Sequence, residues 1–337
     1  MNFLVYLQPL TPTLSAILLA TIADILLRLI PQARDHLMPL LGLPANMAST
    51  LNRRLNRKQR SQGSRFNRGM ITLIFMILFG LLLGLVLQVI AKRSIMLEPV
   101  IWFLCFHMTF PWTAAAELRK ALAKPEKQAV PAGKAVLERR QITALVPTPN
   151  PDRHGLARML IEATASSLHR GWLSPVLWGL TAQMLGLPPL LVAVLIVTLL
   201  EAERVLVTQE SKGSHFVVIF ELIESIINFI PARIAAFLWA LGAFFTPGAK
   251  PLTALRAMFV QSASHRAANS GWPVAAVAGA LNVALPGGKA RNLWVGTANA
   301  TAKAEPKDIS RVVFLHAVTL ALSVLIFTAL LLLSIGA

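Results

Sequence analysis

The thirty residues 216–245, FVVIFELIESIINFIPARIAAFLWALGAFF, decide the fold class. Their only acidic, basic or amide side chains are Glu221, Glu224, Asn228 and Arg233. A run this apolar has the length and composition of a membrane-spanning helix, which needs ~20 such residues. Carboxylates at bilayer depth cost roughly several kcal/mol unless they are paired or face water. Glu221, Glu224 and Asn228 recur at i, i+3 and i+7, which places them on one face of a helix. Pro231 lacks an amide donor, so the spacing predicts a break or kink there, and Arg233 adds a cation just beyond it. A polar stripe beside an interrupted helix is how membrane proteins build binding sites. The plainer alternative is two glutamates near the membrane surface that make bundle contacts.

The rest of the chain agrees with a membrane reading. Its 337 residues are 55% hydrophobic and 14% charged, against ~25% charged in soluble domains, and the mean hydropathy is +0.62. The expected fold class is an all-α, polytopic helical integral membrane protein, with broken or re-entrant helices and cytoplasmic helical loops. One membrane domain is expected over 1–337. Spans are predicted near 11–30, 70–91, 97–115 (divided by Pro111), 172–200 (a hairpin split at Pro188-Pro189), 216–245 (broken at Pro231) and 312–335.

The basic residues gather in the polar segments 31–69, 116–170 and 249–310, so these are expected to be cytoplasmic loops of a bacterial inner membrane protein. The net charge of +17 is read as this topology signal. A nucleic-acid partner is not expected. The densest group, Arg53, Arg54, Arg57, Lys58, Arg60, Arg65 and Arg68, also suits contact with anionic lipid. The first ten residues lack a basic region, so no cleavable signal peptide is expected. Cys105 stands alone, which excludes an internal disulfide framework. The seven histidines are scattered without metal-ligand spacing, so no zinc site is expected.

Three further segments carry candidate chemistry. In Arg158-Met-Leu-Ile-Glu162 the two charges are i, i+4 on a predicted helix and are placed to pair. The segment from His265 to Leu281 opens on polar residues, including His265, Asn269 and Ser270. It continues with Gly271, Ala275 and Gly279, a small face that admits another backbone. Leu285-Pro-Gly-Gly-Lys289 faintly echoes a phosphate loop but lacks the required spacing and preceding strand.

In order, Arg158-x-x-x-Glu162, Pro175-x-x-Trp178, Asn228-x-x-Pro231-Ala232-Arg233 and Asn269-x-Gly271-Trp272-Pro273 resemble the CobD/CbiB family. The resemblance runs nearly end to end. Asp24, Pro31, His36 and Gly42 match its beginning, and Trp294-Val-Gly296 and Asp308-Ile-Ser310 match its end. It implies an integral membrane protein of cobalamin biosynthesis. Such proteins join adenosylcobyric acid to aminopropanol or its phosphate, forming an amide with ATP and Mg2+.

On that resemblance, Glu162, Glu224 and Arg233 are the expected catalytic residues. Arg158, Glu221, Asn228, His265 and Asn269 are the expected substrate-binding residues. Partners would be the lipid bilayer and a corrinoid. Several family acids are replaced. A Gly-Arg-Asp-Thr stretch aligns with Leu145, Val146, Pro147 and Thr148, and an Asp with Arg170. The first of two adjacent acids becomes Ile223, and Gly-Asp-Pro becomes Leu29, Ile30 and Pro31. Two readings therefore stand: a divergent amide-forming synthase, or a non-catalytic, AmpE-like membrane protein of the same fold. A carrier using the interrupted helix is a third.

Overall fold

The computed structural model describes residues 8–28, 42–57, 59–106, 112–140, 142, 146, 150–210, 214–288 and 294–336. Leu29, Ile30, Pro31, His36, Lys58, Pro111, Leu145, Pro147, Thr148 and Lys289, all used above, lie outside them. In chain order the helices are α1 (Thr11–Arg28), α2 (Leu43–Leu55), α3 (Gln62–Ala91), α4 (Leu97–Cys105), α5 (Trp112–Leu122), α6 (Glu126–Arg139) and α7 (Arg153–Leu168). After a π-helical turn at His169–Leu173 come α8 (Ser174–Met184), α9 (Pro189–Gln209), α10 (Val218–Ile227), α11 (Phe229–Phe244), α12 (Pro251–Gln261), α13 (Gly271–Leu281) and α14 (Pro306–Ile335). Among the described residues the only strands are β1 (Leu285–Pro286) and β2 (Trp294–Val295), an antiparallel pair.

This is an all-α polytopic membrane protein. Among the described residues three helical stretches are long and apolar enough to cross a membrane: Gln8–Leu26, Gln62–Ala91 and Pro306–Ile335. A fourth is counted if α10 and α11 form one span. The chain divides into two compact units, where the sequence reading has a single domain. One comprises Met1–His107, Arg170–Asn228 and Ile326–Ala337; the other comprises Met108–His169 and Phe229–Leu325.

In the first unit, α3 buries a narrow face of Gly69, Thr72, Met76, Gly80, Gly84 and Gln88. Their spacing of three to four residues makes one helical stripe. α9 packs on that stripe. A Cβ added at Gly84 would lie 2.8 Å from the Leu191 carbonyl oxygen and 2.9 Å from Leu191 Cα, so the helices touch backbone to backbone. Gln88 Oε1 accepts a hydrogen bond from the Leu190 amide, 3.1 Å away, which has no partner within the first turn of α9. The other face of α3 leaves Ile71, Ile74, Phe75, Leu78, Leu82 and Leu85 exposed, as a lipid-facing surface does. Residues 172–200 contain the α8–α9 turn, where Gly186 takes φ +73°. Pro188 caps α9 and Pro189 opens it, and α9 runs on to Gln209.

The interruption in 216–245 falls at Asn228, not at Pro231. Pro231 sits in the first turn of α11, where a missing amide hydrogen costs nothing. Asn228 closes α10, donating its backbone amide to the Glu224 carbonyl at 2.9 Å. The segment 97–115 is likewise divided between α4 and α5, which belong to different units.

In the second unit, α5 and α6 form a hairpin tied by Glu117. It accepts from Arg140 at 2.6 Å and Arg139 at 2.7 Å. Those hydrogen bonds, led by Arg140, hold the Glu117 carboxyl below the usual carboxylate range against a smaller effect of burial. α13 is buried along its whole length and packs on α12. A Cβ at Gly279 would meet the Thr253 carbonyl oxygen at 2.6 Å and Ala257 Cβ at 2.8 Å, and one at Gly271 would overlap the Ser262 carbonyl. The small face read from the sequence thus accepts α12. Leu285-Pro-Gly-Gly enters the β1 edge, and the Gly287 carbonyl accepts from the Arg266 amide at 2.6 Å. Lys289, the last residue of that stretch, lies outside the described residues.

Gly84→Val is expected to lower stability by about 1–3 kcal/mol through forced separation of α3 and α9. Thermal unfolding in detergent measures this. An unchanged midpoint would mean that the two helices are free to move apart.

Candidate functional site

Each unit holds one buried polar cluster, and each is built around a residue the sequence singles out. In the first unit the centre is Arg170, carried on the π turn. A π turn adds a residue to the helical repeat and re-aims the side chains on it. Arg170 Nη2 donates to Glu203 Oε2 of α9 at 2.5 Å and Nη1 to Glu224 Oε1 of α10 at 3.1 Å. Nη2 also reaches the Leu200 carbonyl at 3.2 Å. Burial alone would lower the pKa of Arg170; Glu203, Glu224 and Glu201 outweigh it and hold the guanidinium well above its ordinary value.

Asn228 extends the network. Its Nδ2 donates to Glu224 Oε1 at 2.8 Å, and its Oδ1 accepts from the Ser174 hydroxyl of α8. Glu224 and Asn228, predicted on one helical face, are indeed together and buried. Glu221, one turn earlier, is only half-buried. Next to the cluster on α9, Glu201 accepts from Arg204 at 2.8 Å. Arg170, Glu203 and Ser174 are absent from the sequence-predicted site. Their signal was Arg170 in an acid's place, followed by Glu201-Ala-Glu203-Arg204 in an otherwise apolar helix.

In the second unit the centre is Glu162 on α7, fully buried. Its Oε1 accepts from the Val146 amide at 3.0 Å and lies 3.2 Å from His265 Nε2. The Ala267 amide donates to His265 Nδ1 at 3.1 Å. Nδ1 also lies 3.1 Å from the Ala267 carbonyl oxygen, so the ring is held between that backbone turn and the carboxylate. Glu162 Oε2 is buried, and among the described residues it has no hydrogen-bond partner. A buried carboxylate oxygen without a partner is costly, and it is the natural acceptor for a proton or an incoming N–H. Ser270, at the start of α13, lies 3.3 Å from His169 Nε2, and Asn269 beside it is buried.

The i, i+4 pair expected between Arg158 and Glu162 does not form. Glu162 turns inward to Val146 and His265. Arg158 turns toward the chain segment after β2, donating to the Ala302 carbonyl, with its guanidinium 5.4 Å from the Trp294 ring centroid. Asp152 lies 3.8 Å away. Burial lowers the pKa of Arg158, and Asp152 partly offsets this. Arg233 is not among the bonds of Glu162 and His265 either. It donates to the Phe229 carbonyl at 2.5 Å and lies over two aromatic rings.

Among the described residues no group of three or more His, Cys, Asp or Glu side chains is arranged to hold a metal. Mg2+ on a nucleotide takes one or two carboxylates. Glu203 and Glu224 already face the Arg170 guanidinium, so these two acids do not fit a resident divalent ion.

The profile of the CobD/Cbib protein family matches residues 17–321. A Brucella suis biovar 1 (strain 1330) protein named Cobalamin biosynthesis protein CobD is 32% identical over 192 residues, covering 54% of this chain and 57% of that protein. The Sinorhizobium fredii (strain NBRC 101917 / NGR234) protein of the same name is 32% identical over 176 residues, 50% of this chain and 52% of its own. One from Sinorhizobium sp is 27% identical over 239 residues, covering 69% and 70%. The chain spans about half the length of the first of these relatives. No solved structure matches the chain.

Arg170→Ala leaves Glu203 and Glu224 buried without a cation and is expected to cost about 3–5 kcal/mol. Thermal unfolding in detergent reads this. Combining Arg170→Met with Glu203→Gln and Glu224→Gln should recover most of the loss, because no uncompensated charge remains. A wild-type midpoint for Arg170→Ala would show that the triad does not hold this unit together.

Proposed function

The chain belongs to the CobD/CbiB family, and on that premise we propose that it acts in cobalamin biosynthesis, in the bacterial inner membrane with its polar loops in the cytoplasm. The family match over residues 17–321 carries this reading, together with the printed name of its relatives, Cobalamin biosynthesis protein CobD. The proposed reaction is amide formation between adenosylcobyric acid and aminopropanol or its phosphate. ATP, as substrate, would supply the activation that makes loss of water from a carboxylate and an amine favourable.

The chain's own contribution is proton handling at Glu162. An alkyl ammonium must lose a proton before its nitrogen can attack, and the resulting bond sheds a second proton. Among the described residues Glu162 Oε2 is an acceptor without a partner, while Oε1 is held by Val146 and His265. That arrangement suits a general base whose carboxylate is fixed in orientation, a role that contributes ~10²–10⁴-fold in enzymes. His265 positions the carboxylate, and Asn269 and Ser270 are polar groups at the same chain reversal.

A second reading has its own observation. Arg170 neutralises Glu203 and Glu224, the acids of the first unit that would otherwise attract a metal-bound phosphate. A non-catalytic, AmpE-like membrane protein of the same fold would tolerate that arrangement.

Complementation of a synthase-null strain separates the two. Under the enzymatic reading, the wild-type chain restores growth. Purified Glu162→Gln then forms amide with kcat lowered by at least ~10²-fold, while corrinoid binding stays near wild type. Wild-type protein that neither complements nor binds adenosylcobyric acid supports the non-catalytic reading.

A further inference from the structure

We infer that Arg233 is a binding site for the headgroup phosphate of a membrane phospholipid, seated on the exposed face of α11. The sequence groups Arg233 with the polar residues of 216–245, but the structure puts it among different neighbours. Along α11, Phe229, Phe237, Leu241 and Phe244 are exposed, at spacings of three, four or eight residues that make one helical stripe. Arg233 sits on that stripe, one turn after Phe229 and one before Phe237, and is half-buried. A cation on a lipid-facing stripe at mid-membrane depth costs roughly several kcal/mol. One turn from the helix start, beside aromatic side chains, it is where a headgroup boundary is expected.

The guanidinium is held in place rather than neutralised. Its carbon lies 3.6 Å from the Phe229 ring centroid and 4.7 Å from that of Trp272. Phe259 packs edge-on against both Trp272, at 5.7 Å, and Phe237, at 5.9 Å, so the frame is continuous. Nη1 donates to the Phe229 carbonyl at 2.5 Å. Among the described residues no carboxylate pairs with Arg233. Rings covering its faces leave the in-plane N–H edge to an anion, and paired N–H donors match phosphate oxygens. A phospholipid answers both halves of the surface: its phosphate meets the guanidinium and its chains cover Phe237, Leu241 and Phe244. A small soluble phosphate answers only the first.

The test uses the full chain in detergent and native mass spectrometry, with dioleoylphosphatidylglycerol and, as a control with the same tails and no phosphate, dioleoylglycerol. Wild type is expected to retain the phospholipid roughly five-fold more than Arg233→Gln, with equal, weak retention of dioleoylglycerol by both. Arg233→Lys, which keeps the charge and loses the paired donors, should fall between them. Trp272→Phe should behave as wild type, and Trp272→Ala should lose lipid. Inorganic phosphate should not displace the bound lipid. Equal phospholipid retention by wild type, Arg233→Gln and Arg233→Lys overturns the proposal. So does displacement by inorganic phosphate, which marks a soluble-phosphate site. A dimer that Arg233→Gln dissociates, with no lipid bound, overturns it in favour of a second copy on this face.

Discussion

The guanidinium of Arg170 is the group on which the first unit's interior depends. Three helices and the π turn send polar side chains to one buried place: Glu203 from α9, Glu224 from α10, and Ser174 through Asn228 from α8. Two carboxylates buried together repel and are poorly solvated, so without a cation at least one would have to be protonated. Arg170 meets both acids and the Leu200 carbonyl with its fork of donors. Asn228 then connects the acid cluster to Ser174 while ending α10. Glu224 and Asn228 of 216–245 are therefore built into a network that ends where α10 stops.

The second unit surrounds its buried acid differently, with no arginine against it. Glu162 is fully buried, yet it meets a backbone amide and an imidazole rather than an arginine. These two contacts engage one oxygen, and among the described residues the other has no hydrogen-bond partner. That incompleteness distinguishes Glu162 from Glu203 and Glu224. A closed network is structural; a network with an open acceptor has something left to bind. The surroundings favour precise placement, since Gly271 lets α13 begin against the Ser262 carbonyl, with His265 Cβ 3.0 Å from where a side chain would start.

Much of this was legible in the sequence, and the reasons are local. The membrane-length apolar runs at 70–91 and 312–335 follow from composition alone and reappear within α3 and α14. The proline pair at 188–189 marks a helix start because ring geometry leaves few alternatives. Spacing brought Glu224 and Asn228 to one face. Partners were harder to read. Arg158 and Glu162 are neighbours on the helix surface, but tertiary contacts turn one to Trp294 and Ala302 and the other to Val146. Pro231 suggested a break, whereas a first-turn proline is compatible with a regular helix, and the interruption fell where Asn228 closes α10. Glu203 escaped notice because an acid in α9 acquires meaning only once Arg170 stands opposite it.

Arg170 and Arg233 carry the same guanidinium to opposite ends. One is enclosed, and the chain itself supplies the two anions that neutralise it. The other lies on an apolar stripe where the chain supplies rings and a single carbonyl. Rings and carbonyls attract a cation but leave its net charge in place. No carboxylate among the described residues neutralises Arg233, and at the edge of a bilayer the abundant anion is a phosphate tethered to acyl chains. The same physical rule, that charge in an apolar setting needs an opposite charge, reads as architecture at Arg170 and as recognition at Arg233.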